Sequence, residues 1–161
     1  MKKFLFILIL ASLQGMGFAQ NQNTADEKAI IETIENESRY FWARDYKNWK
    51  KQWVHEKYIV WTAASDNGVN QYEGWEAWDQ AVLQLFQEDP KPIPYDGDVT
   101  KMNYEIRIYG NGAWVYFKQN NKGVITKESR IMEKQGGKWR IAAVQLFFDT
   151  ERQAAATDSE D

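Results

Sequence analysis

Residues Glu128 to Phe148, ESRIMEKQGGKWRIAAVQLFF, leave this chain little choice of architecture. Glu128, Arg130 and Met132 alternate with Ser129, Ile131 and Glu133. Beyond Gly136-Gly137, Trp139, Ile141 and Ala143 alternate with Arg140, Ala142 and Val144. Two alternating runs about a glycine pair read as a β-hairpin. From Ile141 to Phe148 the second run is apolar on both faces, and a strand without a wet face is normally covered on both sides. One face is expected to meet the protein's own helices, the other a second sheet or a second subunit. Amid this apolar surface Glu128 and Arg130 sit two apart, hence on one strand face. That contrast is the best functional clue in the chain.

The first residues read as a targeting segment. Lys2 and Lys3 supply positive charge, and the apolar run from Phe4 to Leu13 falls short of the roughly 20 residues a membrane-spanning helix needs. Gly17-Phe18-Ala19 offers small residues at the two positions a signal peptidase reads. Residues 1–19 are therefore expected to be a signal peptide, removed to leave Gln20 first, with the product exported to the periplasm or medium. No Cys follows to carry a lipid anchor, so no membrane association is expected after cleavage. Residues 20–149 have the size of one domain. With no cysteine, packing alone must hold it, and eight Trp, eight Tyr and eight Phe supply the means. The whole chain is −3; without Lys2 and Lys3 it has 18 basic against 23 acidic side chains, or −5. An acidic chain lacking a basic run is a poor nucleic-acid binder.

Thr24-Ala25-Asp26-Glu27 matches a capping box, and Ile30, Ile31, Ile34, Phe41 and Trp42 then share one helical face. The pattern predicts a helix over 25–43, and Asp45 is a plausible N-cap for a short second one. In that second helix Trp49 and Trp53 face the same way, and His55-Glu56-Lys57 ends it. Tyr58–Ala64 reads as a strand, Ser65-Asp66-Asn67-Gly68 as a turn, and Val69–Tyr72 as a short strand. Trp75, Trp78, Val82, Leu85 and Phe86 predict a third helix ending near Glu88, and three prolines then enforce an extended link. Met102, Tyr104, Ile106 and Ile108 alternate with Asn103, Glu105 and Arg107; further strands follow to the end of the hairpin. Residues 150–161 read as a disordered acidic tail. Helices followed by an antiparallel meander make an α+β domain, a cone-shaped curved sheet packed against three helices with a pocket between them.

This order, with Trp42-x-x-Asp45, Gly74-Trp75-Glu76-Ala77, Glu128-Ser129-Arg130 and Gly137-Lys138-Trp139-Arg140-Ile141, resembles the nuclear transport factor 2-like superfamily. The likeness is greatest to its SnoaL-like branch and to the association domain of calcium/calmodulin-dependent kinase II. The resemblance implies an α+β barrel and a homodimer formed through the outer face of the sheet. It implies no single function, because members include isomerases, dehydratases, cyclases, ligand binders and oligomerisation modules. It also implies that Arg130 lines the pocket and meets a carboxylate, with Lys118 at the position of a second pocket arginine. Gln145 stands where relatives often carry histidine, and an amide cannot take up a proton near neutral pH.

Each candidate has a functional and a plain reading. Glu128 and Arg130 grip a polar ligand, or form a structural ion pair. Asp45 is a base at the pocket mouth, or only an N-cap. Tyr46, Trp61 and Tyr116 stack on a ligand, or belong to the core. His55 is the single histidine, so no zinc site is expected. No phosphate loop or nucleophile elbow appears, and no cofactor is called for. Three functions compete. The first is a domain that binds a small anionic or amphiphilic molecule among aromatic rings, with Arg130 as anchor and Tyr46, Trp61, Tyr116, Lys118, Glu128 and Gln145 around it. The second is an isomerase, dehydratase or cyclase with Asp45 or Glu128 as base and Tyr46 or Tyr116 as donor. The third is an oligomerisation module without chemistry.

Overall fold

A computed structural model describes residues 5–95 and 99–148, with side chains from residue 24 onward. The acidic tail expected over 150–161, and the first four residues of the expected signal peptide, lie outside the described residues. The first helix, α1, runs unbroken from Leu5 to Trp42, so Thr24 lies inside it instead of capping it. No proline interrupts this span, and extending an existing helix costs far less than nucleating a new one. Among the described residues no helix is long and apolar enough to cross a membrane.

α1 ends in a Schellman turn. Asp45 N–H donates to the Tyr40 carbonyl at 2.9 Å and Arg44 N–H to that of Phe41 at 3.1 Å. Arg44 occupies the left-handed position, φ 57°, where glycine is usual. Its side chain explains why arginine stands there. The guanidinium reaches the Asp89 carboxylate at 2.6 Å and the Asp89 carbonyl at 2.8 Å, and lies over the rings of Phe41 and Phe86. The end of the first helix is thus clamped to the end of the third.

Asp45 then caps α2, Tyr46–Trp49, accepting from Asn48 N–H at 3.1 Å. A 3-10 turn, Lys50–Gln52, follows. The second helix is shorter than the pattern predicts: Trp53 is extended and bridges to Ile141. Trp49 and Trp53 still meet, with centroids 6.0 Å apart. α3, Trp75–Glu88, buries Trp78, Val82 and Phe86. Trp49 and Trp53 are fully buried and Trp78 nearly so. Each such side chain removes roughly 150–250 Å² from water, about 4–6 kcal/mol before ordering costs.

Among the described residues six strands form one curved, unclosed sheet: β1 Val60–Ser65, β2 Gly68–Glu73, β3 Val99–Tyr109, β4 Gly112–Asn121, β5 Val124–Gln135 and β6 Lys138–Phe148. Their order is β2-β1-β6-β5-β4-β3. Pairing is antiparallel except between β1 and β6, which are parallel. The β5–β6 turn is two residues, Gly136 and Gly137, both at positive φ (57° and 78°). That is the backbone of a type I′ hairpin.

Two irregularities decide which side chains face the helices. Register shifts between Ile131 and Met132 against β6, so one residue of β6 is extra. Inward positions therefore pass from Trp139 and Ile141 to Ala142, Val144 and Leu146, and the stretch that reads as apolar on both faces is partly one face interrupted by a bulge. A second shift separates Met102 from Glu105 on β3, where Asn103 sits at φ 58°. It breaks the expected Met102/Tyr104 alternation: Tyr104 packs against the core, whereas Met102 is exposed. It also puts Lys101 and Tyr104, three apart, on the same side. Asn tolerates left-handed backbone and β-branched residues do not. Asn103→Gly is expected to be nearly neutral and Asn103→Ile to cost about 1–2 kcal/mol in urea denaturation; equal stabilities would contradict the bulge.

Candidate functional site

The central polar group of the cone comes from α1 and β5. Ile30, Ile34 and Phe41 set the buried stripe of α1, and Glu37 falls within it. On β5, Thr126, Glu128 and Arg130 alternate inward and are all buried. Arg130 therefore meets two carboxylates at once. Its Nη1 donates to Glu37 at 3.1 Å; its Nη2 and Nε donate to Glu128 Oε2 at 2.9 and 3.3 Å. The Phe117 ring lies 5.3 Å from the guanidinium carbon. Burial opposes the charge on Arg130, but the two carboxylates outweigh it and hold the guanidinium firmly protonated.

The carboxylates are satisfied in turn. Glu37 Oε1 accepts from the Trp49 indole at 3.0 Å, and its Oε2 from Ser38 at 3.4 Å as well as from Arg130. Glu128 Oε1 accepts from Thr126 at 3.4 Å. Beside this trio lies a second cluster. Glu35 accepts from Tyr95 and Tyr104, both at 2.9 Å, and pairs with Lys101 at 3.4 Å. The Lys101 side chain is fully buried. Burial lowers its pKa, partly offset by Glu35. Burial alone would raise the Glu35 pKa, but Lys101 and the tyrosine hydrogen bonds bring it below its ordinary value. Burial, reinforced by Glu35, pushes the Tyr95 and Tyr104 phenols up. Three carboxylates thus surround two cations, an excess of one negative charge.

A hollow of about 120 Å³ opens beside Arg130. Glu37, Glu128, Arg130 and Gln119 form its polar side; Phe41, Trp42, Trp61, Trp78 and Leu146 form its apolar side. Trp61 stacks on Trp78 with centroids 4.7 Å apart and planes 11° from parallel.

Of the residues singled out from the sequence, Trp61, Glu128 and Arg130 come together here. The others do not. Tyr116 and Lys118 alternate with inward Phe117, so they lie on the outer face, where Tyr116 stacks on Trp114 at 6.2 Å. Gln145 pairs with Ser129 on that same face and is exposed. Tyr46 donates to Asp79 at 2.6 Å between the short helices; burial first, then Asp79, pushes its phenol up to about 12. The Asp45 carboxylate is engaged in its cap. Reasoning from sequence missed Glu37, Ser38, Trp78 and Gln119. Glu37 left one signal, an acidic residue set in an apolar helical stripe. Among the described residues no group of three or more metal-ligating side chains occurs.

The sequence matches no protein-family model and no curated protein. Its structure is similar to several solved ones. An NTF2-like protein of unknown function from Shewanella oneidensis aligns with TM-score 0.59 at 14% identity, over 76% of this chain and 98% of that one. Another from Silicibacter pomeroyi gives 0.58 at 11%, over 80% and 98%. A cystatin-like fold protein from Burkholderia xenovorans gives 0.57 at 13%, over 75% and 89%. The chain is a cone-shaped α+β domain of the nuclear transport factor 2-like fold.

Glu35 offers a pH test. Its native pKa lies below the ordinary 4.5, so its stabilising effect is complete above that value and is lost as pH falls through the native one. Glu35→Gln is expected to flatten the acid limb of a stability–pH curve below about pH 5. An acid limb as steep as the wild type's would remove Glu35 from the account.

Proposed function

We propose that this protein is an exported, homodimeric domain that binds a small molecule in the hollow beside Arg130. The pairing of Arg130 carries the reading. A guanidinium has five N–H donors, and three are engaged by Glu37 and Glu128, which leaves two for a ligand. The trio bears a net negative charge, so a carboxylate ligand gains little there. Of the anionic and amphiphilic ligands expected from the sequence, the amphiphilic kind suits the site better: a polar end on Arg130 or Gln119, and an apolar body against Phe41, Trp61 and Leu146. A hollow of 120 Å³ suits a single ring, since a cavity near 150 Å³ holds benzene.

The enzyme reading is weaker. All four oxygens of Glu37 and Glu128 accept hydrogen bonds from the chain's own donors, so neither is a base in waiting. The dimer reading rests on the outer sheet face, where Ile131 is 42% and Phe147 47% exposed.

Benzyl alcohol and benzoate separate the ligand classes. Benzyl alcohol is expected to raise the melting temperature saturably and benzoate much less. Leu146→Trp, which fills the hollow and leaves the charges alone, is expected to abolish the benzyl alcohol shift. An undiminished shift in that variant would refute binding in the hollow. For export and assembly, the secreted protein is expected to begin at Gln20 by intact mass and to scatter as a dimer at micromolar concentration. Ile131→Glu should scatter as a monomer; a wild-type monomer would dispose of the dimer.

A further inference from the structure

Bordering the hollow at Phe41, Trp61 and Trp78, an open cleft of about 670 Å³ lies between α3 and the β1–β2 hairpin. We propose that this cleft is a second, independent site and that it binds a neutral saccharide. Its volume is that of an ordinary ligand site, roughly 300–1,000 Å³. Its floor is aromatic. Trp61, Tyr72 and Trp78 are mutually in contact, with centroids 4.7, 5.4 and 5.8 Å apart. Trp61 and Tyr72 are only half-buried, so ring surface remains open to a ligand.

Trp78 is 6% exposed, and its buried indole N–H, like that of Trp53, has no hydrogen-bond partner. A buried donor left unmade costs about 1–3 kcal/mol. An acceptor brought within reach of that N–H relieves it, and a sugar hydroxyl is such an acceptor.

The polar groups at the rim are amides and one carboxylate, without lysine or arginine. Asn70 and Gln80 are exposed, and their side chains make no hydrogen bond among the described residues. Gln84 donates to Glu88 at 2.7 Å and keeps its own carbonyl oxygen open. Amides both donate and accept, as hydroxyls do. A pyranose presents an apolar C–H face to stack on indole or phenol rings and an equator of hydroxyls for the amides. A phosphate or carboxylate would meet no counter-charge here.

The test uses the full chain, titrated calorimetrically with maltotriose, cellotriose, xylotriose and chitotriose, and in parallel by tryptophan fluorescence. At least one trisaccharide is expected to bind, with a spectral change from Trp61. Gln80→Ala/Gln84→Ala alters two positions on the outer side of α3 and should leave the melting temperature unchanged while weakening that binding by about tenfold or more. Leu146→Trp should leave it intact, so failure at the hollow and failure at the cleft are read separately. Absence of binding by all four up to about 10 mM, or binding that the double variant does not weaken, overturns the proposal.

Discussion

One guanidinium joins the two layers of this protein. Arg130 stands on the sheet, Glu128 beside it on the same strand, and Glu37 reaches down from the long helix. All three are buried. Such a group adds less net stability than its short distances suggest, because desolvating the ions costs nearly what their attraction returns. Its effect is specificity. With Arg130 in place, Glu37 has one low-energy position, the Trp49 indole has an acceptor, and the helix has one rotation and one height over the sheet. Removing the cation would leave two carboxylates buried against each other, so every arrangement that separates the trio is penalised.

The aromatic residues form the second tie. Trp49 contacts Tyr46, Trp53, Trp75, Trp78 and Phe86, so a single side chain ties α2, the extended Trp53 and α3 together. In a chain without cysteine this continuous ring cluster takes the place of a cross-link. Its outer members, Trp61 and Tyr72, pass from core into the wall of the open cleft.

The elements of the fold were readable because each has a local cause. Gly136-Gly137 demands a tight hairpin, Trp75–Glu88 has a clean helical period, and the prolines break the chain where it leaves the helices. The face of each strand was harder to read. A bulge inserts one residue and reverses inside and outside for everything beyond it, yet only Asn103, an asparagine in left-handed backbone, leaves a mark in the sequence. Alternation put Glu128 and Arg130 on one face, and the structure turns that face inward. On β4, Tyr116 passes for a pocket residue only while inward Phe117 beside it is overlooked, and Lys118 and Gln145 did so through the resemblance alone. Glu37 escaped notice because a carboxylate on a long helix looks like a solvated one until its partner, 93 residues away, is known.

The parallel pairing of β1 with β6 sets a temporal order on this molecule. Trp53 bridges to Ile141, and Val60 pairs with Ala143, so the N-terminal half finds its central partner only in the last strand. Until that strand is made, the central seam of the sheet stays open and the tryptophans of the helical segments have only part of their burial. A chain that stops short of β6 therefore holds two separate sheet fragments with no seam between them.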